Sequence, residues 1–185
     1  MKKSFWLPMM AVVTALALTA CLKNDDDVVQ CTPNTLAQDR QVIDSFISEN
    51  GIDYLSYNPT YYGYIGIANP GHPDSSKAAA DSVVAFKQVI RTFKGSQIVT
   101  ISTDSVYQTN NGAKLRFSDF QAGSSFHYLL SNARKGGSIR MIYPSSVNSL
   151  NFNGCQQQSL SNGTVIPAYS QVILDLTLTA VKKAN

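Results

Sequence analysis

The sequence predicts an α+β domain: a curved antiparallel β-sheet packed on a short helix, with a further helix ahead of it. Three observations carry this expectation. The segments 38–51 and 123–135 place apolar residues at spacings of three and four, the period of a helix. The stretches between and after them are rich in aromatic and β-branched residues and are cut by Gly, Pro and Asn, as strands and turns are. The closing segment carries the alternation Leu174-Asp175-Leu176-Thr177-Leu178, the pattern of a half-buried antiparallel strand.

Each element follows from local chemistry. Leu36, Ile43, Phe46 and Ile47 give the first helix one apolar face, and Asn50-Gly51 supplies its stop. Tyr61-Tyr62-Gly63-Tyr64-Ile65-Gly66-Ile67 reads as a strand closed by the turn Asn69-Pro70-Gly71. Residues 72–80 are polar and small, a loop. Residues 82–93 form a long strand, Lys94-Gly95-Ser96 a turn, and 97–102 the start of another strand or an extended loop. A turn at Asn110-Asn111-Gly112 and a short strand Leu115-Arg116-Phe117 follow. The second helix carries its stripe on Phe126, Leu129, Leu130 and Ala133 and ends at Gly136-Gly137. Residues 138–143 form a strand stopped by Pro144; 145–164 form a long polar loop; 171–181 form the last strand. The resulting divisions are a leader segment at 1–20, a tether at 21–35, a leader helix at 36–57 and the main domain at 58–185.

The first twenty residues read as a secretory signal peptide. Lys2 and Lys3 precede the apolar run Ser4 to Leu18, and small residues lie before a cleavage point. The apolar part is short of the roughly 20 residues that a membrane span needs. Leu18-Thr19-Ala20-Cys21 resembles the bacterial lipobox. That resemblance implies cleavage before Cys21, lipid such as palmitate on its thiol, and a mature protein held at a membrane; an ordinary signal peptide with an incidental Cys is the alternative. Asp25, Asp26 and Asp27 repel one another and resist packing, as expected of a flexible acidic tether. An acidic run behind a lipidated Cys is similar to the signal that sends lipoproteins of Bacteroidetes-type bacteria to the cell surface. The expected location is the outer membrane, lipid-anchored, on its periplasmic or cell-surface face.

Loss of residues 1–20 from the 185 leaves 165, enough for one domain with its own core. It also removes Lys2 and Lys3, so 13 basic residues face 12 acidic ones, and no basic cluster points to nucleic acid. With Cys21 lipidated, Cys31 and Cys155 remain, either as a disulfide permitted by export or as two free thiols. No Cys or His pair has metal-ligand spacing, and His72 and His127 are isolated. No cofactor is expected.

The segment Gly136-Gly137-Ser138-Ile139-Arg140-Met141-Ile142-Tyr143-Pro144 resembles the "GG-x-x-R-x-x-I-P" strand of the FKBP-type peptidyl-prolyl cis-trans isomerases. Val165-Ile166-Pro167 with Leu174-Asp175-Leu176-Thr177-Leu178 resembles that family's closing "I-P-P-x-x-x-L-x-F-D-V-x-L", and Val83-Val84-Ala85-Phe86-Lys87 its "V-x-V-x-Y-x-G" strand. The likeness covers roughly residues 36–181 and includes the lipid-anchored Bacteroidetes-type members. It implies an FKBP-like fold and, as substrates or partners, proline-containing exported polypeptides or another envelope protein. Rotation about an X–Pro bond crosses a barrier of about 18–20 kcal/mol and needs no cofactor. By position, the implied substrate pocket comprises Phe86, Ile98, Phe126, Val165, Ile166 and Leu174. Phe126 stands in place of the family's floor Trp, and the chain's only Trp, Trp6, lies in the signal peptide. Ile98-Val99 stands where the family has Phe-Asp, and Ser149 or Leu150 where it has a hydrogen-bonding Tyr. The resemblance therefore implies a degenerate site with weak or lost activity, or a non-catalytic binding or assembly module. On the residues alone, Phe86, Phe126, Ile166 and Leu174 read as core, since such residues on strands and a helix usually fill one.

Overall fold

The computed structural model describes residues 32–95, 97–107, 109–110, 113–146, 154–159 and 163–183. The signal peptide, Cys21, the three Asp of the tether, Cys31, Ser149 and Leu150 lie outside the described residues. Cys155 is buried and disulfide-bonded, and its partner lies outside them too.

Helix α1 spans Leu36–Glu49. A capping box starts it: the Gln38 backbone N–H donates to Thr35 Oγ1 at 3.3 Å, and the Thr35 backbone N–H donates to Gln38 Oε1 at 2.8 Å. Asn50 caps the other end, and Gly51 follows with φ +60°, the left-handed conformation that glycine adopts without a Cβ penalty. The region read as a leader helix up to residue 57 therefore holds a helix and, at Ser56–Asn58, strand β1. A 3-10 turn at Pro59–Tyr61 and a left-handed Tyr62 (φ 52°) replace the expected start of the next strand. Pro59 sets the turn, so β2 begins only at Gly63 and runs to Asn69.

Strands β3 (Val83–Lys94) and β4 (Gln97–Tyr107) form a long hairpin about Gly95, which has φ +58°. One short pair follows in sequence, β5 (Thr109–Asn110) with β6 (Ala113–Lys114), then a 3-10 turn at Phe117–Asp119. The expected strand at 115–117 is thus reduced to one bridge, Arg116 to Val83, because the turn takes Phe117. Helix α2 covers Ser125–Asn132, β7 Ser138–Tyr143 and β10 Gln171–Lys182. Within the region read as loop lies β8 (Gln158–Ser159), which pairs with β9 (Val165–Ile166) just beyond it.

The main sheet has six strands in the order β1-β2-β7-β10-β3-β4, all neighbours antiparallel. Period-two alternation gives it two different faces. One face sends Ile65, Val84, Phe86, Ile139, Met141, Leu176 and Leu178 against Leu129 and Leu130 of α2 and against Ala133, which caps its C-terminal end. The other sends Tyr64, Phe93, Ile142 and Ile173 against Ile43 and Phe46 of α1, with the rings of Phe46 and Phe93 stacked at 4.2 Å. The α+β class is as expected, a curved antiparallel sheet on a short helix. The first helix does more than precede the domain, because it covers the sheet's second face.

Candidate binding cleft

The cleft lies where the N-terminus of α2 meets the face of β3, β10 and β7. Ser124 caps the helix by accepting a hydrogen bond from the His127 backbone N–H at 3.2 Å, which sets Ser125 and Phe126 at the mouth of the groove. Register aligns the floor: Leu174 of β10 stands between Ile90 of β3 and Met141 of β7. The cleft has a volume of about 190 Å³ and is walled by Phe126, Leu174, Ile90 and Val172, with Gln88, Ser125 and Tyr143 as its polar members.

Phe126 is held by other rings rather than by the sheet alone. Its centroid is 4.8 Å from Phe86 and 5.4 Å from Phe120, and those two are 5.8 Å apart. Such tilted and edge-on packing fixes an aromatic wall at little entropic cost on binding. Burial pushes the phenol pKa of Tyr143 up, and a hydrogen bond with Ser125 opposes the shift in part. The hydroxyl also donates to Met141 Sδ at 3.5 Å, a weak acceptor. No carboxylate lines the cleft among the described residues. Apolar walls, one protonated phenol, one amide and one hydroxyl can seat an apolar side chain or ring and offer hydrogen bonds to a peptide carbonyl. The lining holds no nucleophile paired with a base.

Of the six pocket residues expected from sequence, the structure brings two, Phe126 and Leu174, to this cleft. Phe86 is 3% exposed and packs behind Phe126 as core. Ile98 is 52% exposed and lines a different hollow with Arg91 and Arg140, both of which stand off the cleft. Val165 is exposed and Ile166 buried on the β8–β9 hairpin, and neither lines the cleft. Asp175 also turns away, toward Arg91 and Arg140.

The expectation missed Gln88, Ile90, Ser125, Tyr143 and Val172. For the four strand residues the signal was period two, whereas Ser125, at the start of α2, carried none. Gln88 and Ile90 follow Phe86 by two and four residues, Val172 precedes Leu174 by two, and Tyr143 follows Met141 by two. Among the described residues no group of three or more His, Cys, Asp or Glu is placed to hold a metal ion, and no helix is long and apolar enough to cross a membrane.

No protein-family model matches the chain, and no curated protein matches it. Solved structures do. The chain is similar to FkpA from Escherichia coli at 17% identity and a TM-score of 0.46, covering 96% of this chain and 71% of that one. It is similar to a peptidyl-prolyl cis-trans isomerase from Pseudomonas syringae pv. tomato at 17% identity and a TM-score of 0.40, covering 80% and 93%. A DUF4827 family protein from Parabacteroides distasonis matches at 14% identity and a TM-score of 0.37, covering 77% and 94%.

Proposed function

We propose that this chain is a lipid-anchored cell-envelope protein of the FKBP-type prolyl isomerase kind, whose cleft holds apolar, proline-containing segments of exported polypeptides and so assists their folding, with low turnover. The observation that supports it is the cleft walled by Phe126, Leu174, Ile90 and Val172, with the Tyr143 phenol inside it. A largely apolar groove favours the twisted X–Pro amide over either planar form, because the twisted bond loses less on leaving water. The anchor is assigned to Cys21 from the lipobox-like Leu18-Thr19-Ala20-Cys21, in the outer membrane.

A second reading has its own observation. With no carboxylate on the cleft wall among the described residues, the polar machinery that the family resemblance implies is thinned, which suits a non-catalytic binding or assembly module on the same scaffold.

A prolyl isomerisation assay with several X–Pro peptides separates the two. A rate above background that is lost in Phe126→Ala establishes the enzyme. Peptide binding without a rate, lost in the same variant, establishes the module. If neither appears at high protein concentration, the cleft is not a prolyl site. Membrane residence that survives Cys21→Ser removes the anchor.

A further inference from the structure

Arg91 and Arg140 lie on the sheet face that carries α1, opposite the cleft, and both bind Asp175. Register sets Arg140 of β7 directly across from Asp175 of β10, and Arg91 of β3 across from Ile173. Arg140 grips both carboxylate oxygens, with Nε 2.7 Å from Oδ1 and one terminal nitrogen 3.2 Å from Oδ2. Arg91 adds a hydrogen bond to Oδ2. Two guanidinium groups therefore share one carboxylate, and one positive charge is left over, with N–H donors to spare on both arginines. The side chains of Arg91, Arg140 and Asp175 are 30%, 25% and 21% exposed, so a solute reaches them.

These arginines open into a second hollow of about 270 Å³, walled by Phe46, Ile52, Ile98 and Ile173. Ile98 stands half exposed at its edge. The C-terminal end of α1 also faces this hollow, and a bare helix end would repel an anion. Three of its last four carbonyls are occupied. Phe46 O accepts from Asn50 N at 3.1 Å and Asn50 Nδ2 at 2.8 Å, Ser48 O from Gly51 N at 3.2 Å, and Ile47 O from Ile52 N at 3.0 Å. Surplus guanidinium charge thus meets apolar walls in one concavity.

We infer that this hollow binds an aliphatic monocarboxylate, its carboxylate on the spare donors of Arg91 and Arg140 and its apolar body against Ile52, Ile98 and Ile173. The single excess charge matches one carboxylate, and the walls match an unbranched or branched alkyl group. A free alkanoic acid and the terminal carboxylate of an apolar peptide share this chemistry. The reading is independent of the proline cleft on the other face.

The test is a titration of the full chain with octanoate, with N-acetyl-leucyl-leucine and with 1-octanol, followed through the Nε–H NMR signals of Arg91 and Arg140. Saturable shifts at both arginines with an acid, and none with 1-octanol, are expected. Ile98→Glu, at an exposed position, and Arg91→Gln, which leaves Asp175 paired to Arg140, should each weaken binding at least tenfold. Response to octanoate alone identifies a free alkanoic acid as the ligand; response to the dipeptide alone identifies a peptide terminus. The proposal is overturned if neither acid gives saturable shifts, if 1-octanol binds as well, or if Ile98→Glu changes nothing.

Discussion

Ser145 donates its hydroxyl to the carboxylate of Asp39 at 2.7 Å, joining the first turn of α1 to the turn after β7 across 106 residues of sequence. Asp39 is fully buried, and no basic side chain is among its hydrogen-bond partners. Asn34 Nδ2 at 2.9 Å, the Ser146 backbone N–H at 2.7 Å and Gln171 Nε2 at 3.1 Å complete its shell. The charge is carried by these donors and by its place in the first turn of a helix. Replacement Asp39→Ala strands buried donors and should destabilise the domain by about 3 kcal/mol. Urea denaturation of both proteins measures this, and equal midpoints would show that α1 is docked by its apolar face alone.

The same carboxylate sets an acid limit. Burial pushes its pKa up, but the hydrogen bonds from Asn34, Ser146 and Ser145 outweigh this, and the net value lies below the ordinary 3.8. A folded pKa below the unfolded one gives stability that is complete above about pH 3.8 and is lost as pH falls through the folded value. Stability measured from pH 6 downward should fall more steeply below that point than in Asp39→Asn. Parallel curves would assign the acid sensitivity to other carboxylates.

Phe86 and Phe126 touch, yet they should answer truncation differently. Phe86→Ala empties a buried core position and should cost about 3–5 kcal/mol. Phe126 is only partly buried, so Phe126→Ala should cost clearly less stability while removing peptide binding or turnover. Equal thermal losses in the two variants would place Phe126 in the core instead of the cleft.

Gly66 lies where β2 passes beneath Tyr54, and a Cβ there would fall within 1.9 Å of the Tyr54 carbonyl oxygen. That neighbour is backbone and cannot swing aside. Gly66→Ala should therefore destabilise by about 3 kcal/mol, read as a lowered denaturation midpoint. An unchanged midpoint would mean that the 52–55 segment moves freely.

Much of the fold was legible because burial followed simple periods. The alternation through Leu174, Leu176 and Leu178 marked β10, and the stripe of Leu129, Leu130 and Ala133 marked α2. Asp39 was not legible: a carboxylate in a first helical turn reads as solvent-facing, and three of its four donor residues, Ser145, Ser146 and Gln171, lie more than a hundred positions away. Strand β1 was hidden because three residues, Ser56 to Asn58, are too short to show a period. The site was legible only in its two residues Phe126 and Leu174. Phe126 and Leu174 reach the cleft because helix start and strand register place them there, whereas Ile98 sits beyond the Gly95 turn on the opposite face. Tyr143 looked like the end of a strand, and only the pairing of β7 with β10 brings its ring under α2.

Strand β10 sits third from one edge of the sheet, bonded on one side to β7 and on the other to β3, and it follows both of them in sequence. The keystone is the last of the six strands to be made. Until it has left the ribosome, β7 and β3 have no common neighbour, and the two layers of core have no floor to pack against. A chain stalled before Gln171 would already hold most of these apolar residues and lack the strand that unites them. The sheet therefore closes late, after its other five strands have been made.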